Sequence, residues 1–286
     1  MKKIIAYAVY IIGITVFFLY IRFPGDAVIR YLDHQVRKSI PGLSLSIKEL
    51  KPGFPAAATF SAVDVGLHRQ PIAGADRLGL RLALPSVFAS RKRILIDGDL
   101  YGGRMDATVH VSEMRPSPKL EMNGLLKNIQ IGDIPALKQL EDYRVSGILD
   151  GTVTFANTEM PRGKGGAVLT VKDSAVEFTP ALFGLERMHF EAIDLELELA
   201  NQRVTVKRLN VESRDVSGSA TGTIILQNPV ARSTVNLQGE IKPHPTFIKQ
   251  LGSLFPMEFM ARNKTKTGGI PFRITGSLER PNFSLR

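Results

Sequence analysis

The chain of 286 residues contains no cysteine and no tryptophan. Without thiols there is no disulfide framework, no thiol nucleophile and no cysteine metal centre. Cysteine-free composition suits an oxidising compartment without requiring one. Histidine is scarce: the five residues are His34, His68, His110, His189 and His244. None forms an H-E-x-x-H or close H-x-H unit, so they read as sheet-face or loop residues rather than metal ligands. A G-x-S-x-G elbow is missing, and Arg162–Gly166 (RGKGG) lacks Walker spacing. The carboxylates Asp97, Asp99 and Asp106 read as turn residues, and Asp194, Glu196 and Glu198 as one outward strand face. The sequence therefore names no catalytic, metal or cofactor-binding residue, and the expectation is a protein that is not an enzyme and holds no cofactor.

What is present is globular in composition, with 44% hydrophobic and 22% charged residues. Net charge is +10. Such a balance is compatible with nucleic acid, an anionic membrane surface, or no specific partner. Basic clusters are short, Arg91-Lys92-Arg93 being an example beside strand-like sequence. They read first as solvated faces and turns, and second as a source of attraction to acidic lipid. Basic residues are not interleaved with stacking aromatics, which excludes nucleic acid as the expected partner.

After Met1-Lys2-Lys3, Ile4 to Ile21 is an uncharged run (IIAYAVYIIGITVFFLYI). At about 1.5 Å per residue it reaches roughly 27 Å, close to a hydrocarbon core. It ends at Arg22-Phe23-Pro24-Gly25-Asp26 with no A-x-A-like cleavage site. The expectation is an uncleaved transmembrane anchor over 1–25. Flanking charges disagree on its orientation: Lys2 and Lys3 lie on one side, and Arg22, Arg30, Arg37 and Lys38 on the other. Residues 26–42 follow as an amphipathic helix, with Val28, Ile29, Leu32, Val36 and Ile40 at near-helical spacing. It is placed either on a membrane surface or against one end of the β domain.

Beyond Gly42 the period becomes two. Leu78, Leu80, Leu82 and Leu84 alternate with small or polar residues, as do Met105, Ala107, Val109 and Val111. Ile193, Leu195, Leu197 and Leu199 stand opposite Asp194, Glu196 and Glu198. Such runs predict half-buried strands punctuated by Gly, Pro, Asn and Asp. Short helices are expected over Pro135–Tyr143 and Thr246–Phe255, with a single turn over Ala181–Leu185 and a loop turn at Gly163–Gly166. The division is a first β section over 43–134, a second over 135–241, and a closing helix and strands over 242–286. VSGILDGTVTF (145–155) and VSGSATGTIIL (216–226) share V-S-G-x-x-x-G-T-[VI], echoed by Ile274–Leu278. Gly147 and Gly218 are expected to supply a bulge or a close chain approach. The repetition suggests stacked β units rather than one closed barrel.

With PGLSLSIKEL at 41–50, the paired VSG motifs and the ending GGIPFRITGSLERPNFSL at 268–285, the chain resembles the type II secretion system protein N family, itself related to AsmA-like proteins. The resemblance implies a mainly β fold: an N-terminal transmembrane helix, then an elongated, curled AsmA-like β-sheet domain with a few short helices. It implies a non-enzymatic accessory of type II protein secretion in the cell inner membrane, single-pass, with its C-terminal domain in the periplasm. Partners would be other type II secretion system proteins and membrane lipid. The alternative it implies is an AsmA-like lipid-binding or phospholipid-transfer protein, with phospholipid in an apolar groove. The glycines Gly147, Gly151, Gly218, Gly222 and Gly276 match as fold determinants only.

Overall fold

The computed structural model describes residues 22–39, 42–67, 70–112, 119–140, 142–159, 162–182, 185–227, 232–245, 247 and 269–285, with Tyr7, Tyr10, Ile14, Phe18 and Tyr20 upstream. The described strands form one sheet of 14, each beside its sequence neighbours, in the order β1 to β14. Every pairing is antiparallel. The first and last strands do not meet, so the sheet is open rather than closed into a barrel.

The strands are β1 Leu43–Gly53, β2 Ala57–Leu67, β3 Gln70–Leu82, β4 Arg91–Leu100, β5 Gly103–Ser112, β6 Lys119–Gln130 and β7 Tyr143–Glu159. They continue as β8 Arg162–Leu182, β9 Leu185–Ala200, β10 Arg203–Glu212, β11 Val216–Ile225, β12 Thr234–Pro243, β13 Ile270–Ser277 and β14 Pro281–Leu285. Helix α1 spans Gly25–Ser39 and the one-turn α2 spans Pro135–Lys138.

Among the described residues no helix is long and apolar enough to cross a membrane. This corrects the expected fold of a transmembrane helix leading into an AsmA-like domain. Most of the run Ile4–Ile21 lies outside the described residues. What the structure supports is a mainly β, 14-stranded antiparallel sheet. The expected loop turn at Gly163–Gly166 is also corrected, because these residues lie inside β8 and pair with Thr154–Asn157 of β7. Phe155 leans over Gly163, where an added Cβ would lie 2.4 Å from its ring. Glycine there serves a ring, not a turn. The expected turn at Ala181–Leu185 falls at the β8–β9 junction, and Thr246–Phe255 lies outside the described residues apart from Phe247.

Helix α1 lies against the start of the sheet. Its apolar side (Val28, Ile29, Leu32) packs on Leu50, Phe60 and Val63, with Leu45, Ile47, Leu78 and Leu80 around them. The start and the middle of the helix are tied to β1: an added Cβ on Gly25 would come within 3.0 Å of the Leu50 carbonyl, and the Leu45 N–H donates to Asp33 Oδ1 at 3.2 Å. Leu50 is 8% exposed. Leu50→Ala is expected to lower stability by about 2–5 kcal/mol, because a cavity opens beneath α1. Urea unfolding followed by circular dichroism checks this.

The Asp33 contact also makes α1 pH-sensitive. Asp33 accepts from Arg37 Nε at 2.8 Å, and this bond holds its carboxyl below the usual range. A carboxyl that ionises at lower pH in the folded chain stabilises it fully above the ordinary carboxylate range. That contribution is lost as pH falls through the folded value. Hydrogen exchange at the Leu45 amide is expected to quicken on acidification below the ordinary carboxylate range, and Asp33→Asn is expected to flatten the response.

Candidate ligand-binding face

Cross-strand partners in an antiparallel pair share a face. Following the register from β3, Leu80 stands beside Ile96, Ala107, Gly124, Val153 and Ala167 in turn. The row continues through Leu197, Val206, Gly222, Leu237, Ile274 and Phe283. Two residues along each strand a second row runs from Leu78 through Gly98, Met105, Leu126, Gly151 and Leu169. It then passes Leu195, Leu209, Ala220, Gly239, Phe272 and Leu285. Neither row holds an ionisable side chain. At about 4.8 Å between strands, each row is roughly 50 Å long.

Bulges keep these rows on one side. A strand that gains one residue would turn its apolar set over. At four places two outward residues instead of one separate the inward ones. Phe60 and Val63 bracket Ala62 (φ 48°), and Leu126 and Ile129 bracket Asn128 (φ 55°). Val206 and Leu209 bracket Lys207-Arg208, where the register with β9 and β11 shifts. Val171 and Ser174 bracket Lys172 and Asp173 (φ 47°) on β8, where the register with β7 slips and two β8 residues face the single Gly147 (φ 147°). Of the two roles expected for Gly147 it supplies the close approach, since an added Cβ would lie 2.8 Å from the Ser174 Cβ, while the bulge itself is on β8. Gly218 also supplies a close approach: an added Cβ would lie 3.1 Å from the Glu240 carbonyl.

Glycines concentrate on the apolar side, and neighbours lean over them. An added Cβ at Gly98 would meet Leu78 at 2.6 Å, at Gly124 Val153 at 2.8 Å, and at Gly239 the Phe272 ring at 2.9 Å. Crowding of this kind draws strands together on the apolar side. Even so, Leu80, Ile96, Val153, Leu197, Leu237 and Ile274 are only half-buried.

The opposite face is polar and knitted by ion pairs. Arg77 reaches Asp99 at 2.7 Å and Asp97 at 3.2 Å, and Arg81 reaches Asp97 at 3.2 Å. Farther along, Lys172 meets Asp150 at 3.5 Å, Arg208 meets Glu196 at 3.4 Å and Lys207 meets Glu198 at 3.0 Å. Asp150 also accepts from the Asn128 N–H at 2.9 Å, and this bond, ahead of Lys172, holds its carboxyl below the usual value. Exposed pairs of this kind add little stability individually but mark a solvated surface. The sequence-predicted carboxylates all lie here. Asp97 and Asp106 are direct cross-strand partners, and Asp194 accepts from Thr170 Oγ1 at 2.7 Å. A depression of about 690 Å³ lies on this side, lined by Arg81, Asp97, Asp106, Thr108 and Asn123 among others.

The histidines stay apart: His34 on α1, His110 on β5, His189 on β9 and His244 after β12, with His68 outside the described residues. Among the described residues no group of three or more His, Asp or Glu is placed to hold a metal. Two polar groups on the apolar side were not singled out by sequence. Lys92 pairs with Val111, but its ammonium turns back to donate to the Val87 and Ala89 carbonyls at 2.7 and 3.1 Å. Asn157 is 5% exposed, and its Oδ1 has no hydrogen-bond partner among the described residues.

Comparison with protein-family models, curated proteins and solved structures gives no match. The expected role as a type II secretion accessory held in the cell inner membrane, with single-pass topology and a periplasmic domain, is therefore corrected. That role needs a membrane-crossing helix, and none stands among the described residues.

Proposed function

We propose that this chain is a non-catalytic binding protein for lipid acyl chains, which lie on the apolar face of its sheet. The observation that carries the reading is the unbroken pair of uncharged rows from β3 to β14, whose large side chains are mostly half-buried and which are backed by a polar face. Contact with a row of leucine, isoleucine and phenylalanine removes methylenes from water at about 0.8 kcal/mol each. Several strands' width is enough for a long chain. Non-catalytic character is supported by the polar-face carboxylates, which are tied to arginine or lysine rather than aimed at a common point.

Titration of the full chain with the fluorescent fatty acid cis-parinaric acid tests this. Saturable enhancement that palmitate reverses is expected. Enhancement that does not saturate, or that palmitate leaves untouched, would overturn the reading.

A further inference from the structure

The alternating hairpins give the sheet two ends. The β1–β2 and β3–β4 connections share one of them, and both carry large apolar side chains out into water. Phe54 is 79% exposed, Leu84 50% and Phe88 96%. The two connections are stitched together, since the Leu82 N–H donates to the Ala56 carbonyl at 2.9 Å. The longer connection is also built rather than slack. Ser86 Oγ donates to the Ala83 carbonyl at 2.6 Å and accepts from the Arg93 N–H at 2.9 Å, while Lys92 Nζ clamps Val87 and Ala89. Phe88 is therefore held out by an ordered frame.

Around these tips stands a cationic collar. Arg81, Arg91, Arg93 and Lys119 are exposed at this end of β3, β4 and β6. Arg91 pairs with Glu121 and Arg81 with Asp97, whereas Arg93 and Lys119 form no ion pair among the described residues. Because Gly25 sits against Leu50, α1 begins at the same end, bringing exposed Arg22 and Phe23 there. The opposite end is mixed in charge: its connections hold Asp133, Asp142 and Asp215 beside Lys138 and Arg214, and Lys138 pairs with Asp133 at 2.9 Å.

We infer that this end is a peripheral docking site for an anionic lipid surface, with Phe54, Leu84 and Phe88 entering the interfacial region and the collar meeting acidic headgroups. Apolar tips ringed by cations match the two layers of such a surface: acyl chains beneath, negative charge above. Protein surfaces that bind other proteins place their aromatics in a buried patch with charge depleted at its centre. Here the aromatics project singly from turns. The site stands on its own geometry, whether or not the sheet face holds acyl chains.

Because the chain has no tryptophan, Phe88→Trp in the full chain places a unique fluorophore at the tip. Leu140→Trp, at the opposite end, is the control. Both are mixed with vesicles of equal parts phosphatidylcholine and phosphatidylglycerol carrying brominated chains. Phe88→Trp is expected to shift to the blue and be quenched, while Leu140→Trp keeps its emission. Vesicles of phosphatidylcholine alone are expected to quench several-fold less, as is adding Arg93→Glu with Lys119→Glu. Quenching of neither fluorophore, or of both equally, overturns the proposal, as does equal quenching by zwitterionic vesicles. A shift of Phe88→Trp on adding cell proteins but not vesicles also overturns it, in favour of a protein partner.

Discussion

Gly222→Val is expected to lower stability by about 3 kcal/mol or more, enough to unfold much of the sheet near physiological temperature. Two separate faults add. Gly222 has φ 151°, where an L side chain is strained, and its Cβ would come 2.2 Å from the Asn236 carbonyl and 2.8 Å from the Leu237 Cα. Both atoms belong to the backbone of β12, so relief requires moving a strand. Gly166→Ala is the contrast. Its Cβ would approach the Thr154 hydroxyl at 3.1 Å and stand at ordinary contact, 3.7 Å, from the Leu197 carbonyl, and the expected change is within about 1 kcal/mol. Urea midpoints for the two variants, read by far-ultraviolet circular dichroism, compare them directly. Equal midpoints would show that the β11–β12 approach is looser than the structure requires.

Leu197→Glu is expected to weaken cis-parinaric acid binding at least about tenfold, roughly 1.4 kcal/mol. Leu197 lies midway along the apolar row between Ala167 and Val206. A carboxylate there must either stay hydrated, which displaces the chain, or lose water beside it. Glu198→Leu, one residue on, makes the opposite exchange on the other face. It removes the partner of Lys207 and adds apolar surface, yet affinity is expected to hold. Circular dichroism on both variants separates loss of fold from loss of ligand. Equal affinities would place the ligand elsewhere.

Strand character is legible where alternation is strict. The 193–199 run lies wholly within β9, with Leu195 and Leu197 in the apolar rows and Glu196 and Glu198 in ion pairs. The bulges were also written in the sequence, though period-two reading passes over them. Val206-Lys-Arg-Leu209 and Leu126-Lys-Asn-Ile129 each space apolar residues by three, which breaks alternation on paper and preserves it in space. Gly163–Gly166 misled because a glycine cluster signals a turn until the facing ring is known, and Phe155 is supplied by another strand. The exposed tips were invisible for a related reason. Phe54, Leu84 and Phe88 look like core residues, and only the packing shows that none of the described residues buries them. Length, apolarity, a missing A-x-A site and the family resemblance together carry the tethered reading of Ile4–Ile21, and the described residues supply no membrane-crossing helix for it.

Each strand beside its sequence neighbours makes the sheet a one-dimensional object. Apart from β13, which joins β12 across residues 244–269, no strand waits for a distant segment before it can pair, so loop-closure entropy stays small and assembly can spread hairpin by hairpin. The same order makes length negotiable. Removing or inserting one complete hairpin shifts no other register, so a sheet of this design can become two strands shorter or longer while keeping one apolar side. The reach of the face is then an evolvable number rather than a fixed property of the fold.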